Sequence, residues 1–312
     1  MRVLIAYDGS EYAKAAIYDL ARAGLAAGTE VCLLTVGDSA VVRKKVIEPY
    51  YRPRRGSGET MLAHGPLVHP APRDPDAVAE EGTQLILSRY RQWKAWGGSL
   101  RDAAPASAIT QRAAAWRANL IVVGSHGATA LKRLILGSVS QRVLGEARCS
   151  VRVGRNPELR DDLGIPLADE PPRILLAIEE PSNSAAAVDA VVTRSWPAGT
   201  CVRVVTVAAE TVLHVVAARS ARLPSDPAPD ALTFFHERVE TVAKDLQEAG
   251  LDTGCAVLEG EAAPALIREA ERWGADCIIL GAQCHSPIDQ LFQHSVSGAV
   301  AAGAHCSVEV VR

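Results

Sequence analysis

Aromatic residues are scarce: Phe, Trp and Tyr make up 4% of the chain, and there are two Met. A core with so few rings must be filled by Val, Leu, Ile and Ala, which suits buried parallel strands covered by Ala-rich helices. An excess of one charge is also lacking. With 33 basic against 36 acidic residues the net charge is −3, so no global field draws the chain to nucleic acid or to an anionic membrane. No segment approaches the ~18 uninterrupted apolar residues that span a bilayer. The opening residues Met1 to Asp8 reach a carboxylate too soon for a signal peptide, and a cytoplasmic location is expected. The seven Cys include no C-x-x-C pair, and their odd count argues against a secreted disulfide framework. Cys32, Cys149, Cys201, Cys277 and Cys306 lie in or beside apolar runs and read as small buried hydrophobes.

Catalytic signatures are missing as well. The chain has no Gly-x-x-x-x-Gly-Lys-Ser/Thr loop and no Gly-x-Ser-x-Gly elbow. Cys284, His285 and His294, with His305 and Cys306 further on, have the chemistry to bind a metal, but their spacing matches no zinc pattern. No metal site and no catalytic set are therefore expected. The basic runs at 43–45 and 52–55 read as solvated loop surface.

What is present is a duplication. Arg2-Val3-Leu4-Ile5-Ala6-Tyr7-Asp8 recurs as Arg173-Ile174-Leu175-Leu176-Ala177-Ile178-Glu179. Val31–Val36 recurs in Cys201–Val207, Ala118–Gly124 as Ala275–Gly281, and Cys149–Val153 as Cys306–Val310. Apolar strands alternate with helical patterns, which implies right-handed crossovers. The fold expected is α/β: two repeated doubly wound domains, each a mostly parallel five-stranded sheet with helices on both faces. The boundaries are a first domain over 1–155, a polar, Pro-containing linker over 156–172 and a second domain over 173–312. The final strands, Ser150–Val153 and Ser307–Val310, are edges that need a partner. The stretch 38–76 is a long Pro-, Gly- and Arg-rich excursion, and the third strand, around Trp96–Leu100, is expected to be short or irregular for want of strand formers.

The chemistry concentrates at 122–140. An apolar strand ends at Gly124, and Gly127 follows; ligands of open parallel sheets bind beyond such strand ends. Gly137-Ser138 then precedes the amphipathic run Val139–Leu144. Ser138 reads as a helix N-cap, with Gln141 completing a capping box. The unpaired N–H groups of such a helix start favour an anion. Lys132 and Arg133, between the glycine pairs, read either as a screen for phosphate charge or as exposed helix residues.

Gly124, Gly127, Gly137 and Ser138 follow the order Gly, two residues, Gly, nine residues, Gly-Ser. With the opening strand and its Asp8-Gly9-Ser10, they resemble the ATP-binding branch of the universal stress protein family. The resemblance covers nearly the whole chain. It implies that Val36 lines an adenine pocket, that Asp8 lies on the nucleoside side, that the backbone at Ala6 meets the ribose and that Gly124 lies beneath it. It implies further that Gly127, Gly137, Ser138, Val139 and Ser140 donate to the phosphates. His126, inside the loop, either contacts phosphate or faces solvent. Asp8 is placed to share Mg²⁺ with the phosphates.

The second copy departs where a bare backbone is needed. Cys284 replaces the second glycine, His294-Ser295 replaces Gly-Ser, and Glu179 stands for Asp8. One ATP per chain is expected, bound in the first copy, with a structural or regulatory second copy and an unidentified protein partner. The resemblance implies that the last strands pair into an intramolecular pseudo-dimer, which leaves room for a homodimer. A single carboxylate is a sparse endowment for phosphoryl transfer. The reading is a regulatory protein with at most slow hydrolysis; its rival is an ATPase or nucleotidyl-transfer enzyme.

Overall fold

The structure, a computed structural model, describes residues 1–37, 73–126, 136–155, 170–179, 181–208, 231–282 and 295–312. Residues 38–72 of the excursion and 156–169 of the linker lie outside these residues. The first copy runs β1 (Arg2–Ala6), α1 (Glu11–Asp19), β2 (Glu30–Gly37), α2 (Pro75–Arg89), β3 (Lys94–Arg101), α3 (Pro105–Trp116), β4 (Leu120–Gly124), α4 (Ser138–Glu146) and β5 (Ser150–Gly154). The second repeats the order: β6 (Arg173–Ala177), α5 (Pro181–Val192), β7 (Cys201–Ala208), α6 (Ala231–Glu248), β8 (Asp252–Glu259), α7 (Ala262–Trp273), β9 (Cys277–Gly281), α8 (Val296–Gly303) and β10 (Ser307–Val311).

All strands join one ten-stranded sheet in the order β3-β2-β1-β4-β5-β10-β9-β6-β7-β8. Pairing is parallel within each copy, as in the β1–β4 and β6–β9 ladders. It turns antiparallel only where β5 meets β10, with Arg152 opposite Glu309. The edge that each copy presents is thus covered by the other, which removes two rows of unpaired backbone groups.

β3 departs from expectation. It is regular and pairs with β2 over eight residues, Lys94 to Arg101. Propensity is overridden by packing, because α2 lies across the strand so closely that a Cβ on Gly97 would come within 2.3 Å of the Thr83 hydroxyl. The glycine that weakens the strand on paper is what lets the helix cover it.

The two faces of the sheet treat the seam differently. On one face a single apolar cluster runs through both copies. It joins Ile109 of α3 and Val143 of α4 to Val151 and Val153 of β5, Val308 and Val310 of β10, Leu266 of α7 and Val300 of α8. On the other face the apolar residues form two clusters, one around α1 and α2, the other around α5 and α6. Between them β5 and β10 present Arg152 and Glu309, both fully buried. Arg152 Nε lies 2.6 Å and Nη2 3.1 Å from the carboxylate of Asp19 at the end of α1. Its Nη1 donates to Glu309 at 3.1 Å, and Glu309 also accepts from both Nη atoms of Arg194, just past α5. Each buried charge therefore has an opposite neighbour, the condition under which ions are tolerated away from water.

Burial alone would pull the Arg152 pKa down, but the Asp19 and Glu309 carboxylates outweigh it and hold the guanidinium charged. For Glu309, burial raises the pKa, yet Arg194 and Arg152 prevail and hold it below the ordinary carboxylate value. The folded state thus binds this proton less tightly than the unfolded chain. The contribution is present in full above the usual carboxylate range and is lost as pH falls through the lower folded value. We predict that wild-type urea-unfolding midpoints fall on acidification below about pH 4, and that Glu309→Gln, weaker at neutral pH, loses less on the same acidification. Equal acid sensitivity in the two proteins would show that Glu309 is not the linked group.

Candidate functional site

The chain leaves β1 for β2 and β3 on one side, then crosses back to β4 on the other. Adjacent strands whose connections diverge leave a crevice beyond their carboxyl ends, the usual ligand position in open α/β sheets. Ala6 ends β1, Val36 lies one residue before the end of β2, and Gly124 ends β4. Ser138, Val139 and Ser140 open α4. Ala6, Val36 and Val139 are half-buried, all packed on the shared apolar cluster with part of their surface open. They form the apolar side of this end of the sheet. Asp8 is exposed, and its carboxylate accepts from the Ser10 N–H at 3.0 Å. The Ser10 hydroxyl in turn caps α1 by accepting from Ala13 N–H at 3.2 Å.

The first turn of α4 is tied to the end of β4 by two bonds. The Ser140 hydroxyl, buried, donates to the Gly124 carbonyl at 2.6 Å. The Gly137 N–H donates to the Ser125 carbonyl at 2.8 Å. The Ser140 side chain is thus committed within the protein. Gly124 also has a packing role, since a Cβ there would lie 2.9 Å from the backbone of Tyr12 in α1.

Two expectations are corrected. Ser138 is not the N-cap. Gly137 holds that position, with φ −59° and no side-chain cap bond, and Ser138 is the first helical residue, exposed. The helix starts one residue early because the Gly137 carbonyl accepts from Gln141 N–H at 2.9 Å, so the Ser138–Gln141 capping box does not form. His126 does not face solvent either. It is buried, its ring centroid 4.9 Å from that of Tyr12 and Nδ1 3.1 Å from the Ser125 hydroxyl. The contacts with the Tyr12 ring and the Ser125 hydroxyl lie on its inward side. Gly127, Lys132 and Arg133 lie outside the described residues.

Tyr12, Ser125 and Thr35 were not singled out in the sequence. Tyr12 supports both Gly124 and His126. Thr35, beside Val36, is buried with a hydroxyl that has no hydrogen-bond partner among the described residues. A hydroxyl in an otherwise apolar strand was the only signal for it.

In the second copy Ala177, Val207 and Val296 occupy the places of Ala6, Val36 and Val139 and pack on the same cluster. The helix start differs. Ser295 is the N-cap of α8, and its hydroxyl accepts from Gly298 N–H at 3.1 Å. Of the residues weighed as metal ligands, Cys284, His285 and His294 lie outside the described residues. His305 sits 2.9 Å from Glu271, and Cys306 is buried. Among the described residues no group of three or more His, Cys, Asp or Glu is placed to hold a metal, and no helix is long and apolar enough to cross a membrane.

The fold is that of a doubly wound α/β protein repeated twice in one sheet. The universal stress protein family model matches residues 1–155 and 171–312, and the chain belongs to that family. A universal stress protein of Thermus aquaticus is 32% identical over 157 residues, 49% of this chain and 97% of the relative. One of Methanocaldococcus jannaschii is 33% identical over 87 residues, 27% of this chain, and the match spans about half (51%) of that relative. Among solved structures, a universal stress protein from Archaeoglobus fulgidus superposes with a TM-score of 0.62 at 16% identity, covering 100% of this chain and 96% of that one, a likeness of fold.

Two substitutions test the local construction. Ser140→Ala leaves the Gly124 carbonyl unpaired and is expected to cost about 1–3 kcal/mol. Gly124→Ala forces the Tyr12 backbone to move, at a cost of about 1–3 kcal/mol. Chemical denaturation of both variants checks this; wild-type midpoints in either would show that α4 and α1 are not seated on β4 as described.

Proposed function

We propose that the first copy binds ATP in the crevice beyond β1, β2 and β4, one nucleotide per chain, and that the chain acts as a nucleotide-responsive regulator with at most slow hydrolysis. The observation that carries this reading is the contrast between equivalent helix starts. α4 begins without a side-chain cap, so its first-turn N–H groups suit an anion. The start of α8 is satisfied by Ser295. In this reading Val36, Ala6 and Val139 offer apolar contact to the nucleoside, and Gly124 forms the floor. Gly127, Ser138, Val139 and Ser140 donate to phosphates; for Ser140 the donor is the backbone N–H, its hydroxyl being committed to Gly124. Gly137, its N–H committed to the Ser125 carbonyl, leaves space for a phosphate without donating to it. His126 packs on Tyr12 at the end of β4. The residues fit the nucleotide: an apolar side, an uncapped helix start and one exposed carboxylate, Asp8, to share Mg²⁺, which would offset phosphate charge.

The test uses Gly137→Asp. Asp is a favoured N-cap, and the φ of −59° at Gly137 suits any residue, so the fold is retained while a carboxylate takes the place of the phosphate. Mass spectrometry of the purified protein should find one ATP per wild-type chain. The variant should bind ATP at least about tenfold more weakly, since charge-assisted bonds are worth roughly 1.5–3 kcal/mol, with no fall in its thermal midpoint. Two ATP per chain, or unchanged binding in the variant, would refute the site. Turnover well above about one per second would transfer the reading to the enzyme class.

A further inference from the structure

Arg152 and Glu309 occupy equivalent places in the repeat, within Cys149-Ser150-Val151-Arg152-Val153 and Cys306-Ser307-Val308-Glu309-Val310. They also face each other directly, flanked by Val153 opposite Val308 and Val151 opposite Val310. The pseudo-twofold axis that relates the copies therefore passes through this pair. Each copy brings its own counter-charge: Asp19 for Arg152 and Arg194 for Glu309. Read across the seam, the charges alternate as Asp19, Arg152, Glu309, Arg194.

We propose that this buried charge order is a pairing code by which the seam edge of the first copy accepts the second copy and rejects another first copy. An edge strand with Val on its apolar face is a ready template for any like edge. Pairing two first copies in the same register would set Arg152 against Arg152, and pairing two second copies would set Glu309 against Glu309. Net charge would be unchanged in either case, because the counter-charges come along. What changes is the order, which places like charges in contact at a position without water. Side chains at this point have 0% exposure, so solvent screens little of the repulsion. Homotypic pairing is thereby disfavoured by on the order of a hundredfold or more. The apolar cluster on the opposite face, with Val at each flanking position, has no such power to discriminate. Adhesion and selection are thus divided between the two faces of the same strands.

The full chain tests this. Glu309→Arg combined with Arg194→Glu keeps the net charge but sets Arg152 against an arginine within the chain. It should lower the thermal midpoint by roughly 5 °C or more. Adding Arg152→Glu and Asp19→Arg reverses the whole row, restores alternation and should recover most of that loss. A double variant as stable as the wild type, or a fourfold variant no better than the double, would overturn the proposal. A second measurement separates selection from stability. With all four positions made uncharged (Asp19→Asn, Arg152→Met, Glu309→Leu, Arg194→Met), the chain refolded at high concentration should give dimers and larger species by light scattering, where wild type gives monomer. Refolding of that variant to monomer alone would also overturn the proposal.

Discussion

The antiparallel pairing of β5 with β10 is the contact on which the rest depends. Every other ladder is parallel and confined to one copy; this one turns two small sheets into one of ten strands. The pair is held differently on its two faces, through a continuous apolar cluster on one and through four buried charges on the other. The apolar side supplies cohesion in proportion to area and is indifferent to partner. The charged side contributes little net stability for its desolvation cost, yet losing any one member strands another charge away from water. Position at this seam is consequently over-determined.

Reciprocal contacts extend the same logic to the strand ends. Arg155, just past β5, reaches the carbonyls of Ala301 and Cys306 in the second copy. Arg312, just past β10, reaches the carbonyls of Leu144 and Cys149 in the first. The two arginines are equivalent in the repeat, as are their targets. Both place a cation at the last turn of a helix, α8 in one case and α4 in the other, where the dipole favours it.

The frame was largely legible in the sequence because it rests on local signals. Apolar runs such as Leu120–Gly124 are buried at every position, and their repetition announced both the strands and the duplication. What escaped was non-local. β3 is held by α2 across a glycine, which no propensity reports. Arg152 and Glu309 look like ordinary alternation in short strands until the seam buries them, and Arg155 reads as the end of a domain rather than as a clasp. In the site, the glycines were visible but their work was only half visible: Gly124 serves the packing of α1 as well as any ligand, and Ser138 yields the cap to Gly137 because one backbone bond lengthens the helix. His126 was undecidable without knowing that Tyr12 lay beneath it.

These contacts bear on why a copy that has lost the glycine pattern remains attached. α4 has nine residues, so about 14 Å separates its ends. Its first turn is pinned to β4 through Ser140 and Gly137, beside the crevice. Its last turn accepts a bond from Arg312, the residue that follows β10 of the second copy. A helix start can present N–H groups in a fixed direction only if the whole helix is fixed, and one end of this helix is fixed by the other copy. The apolar cluster that seats Val143 and Leu144 likewise includes Val308 and Val310. The geometry of the first copy's crevice is therefore not the property of the first copy alone. A second copy with a capped helix start is still required for its strand edge, its terminal arginine and its share of the core.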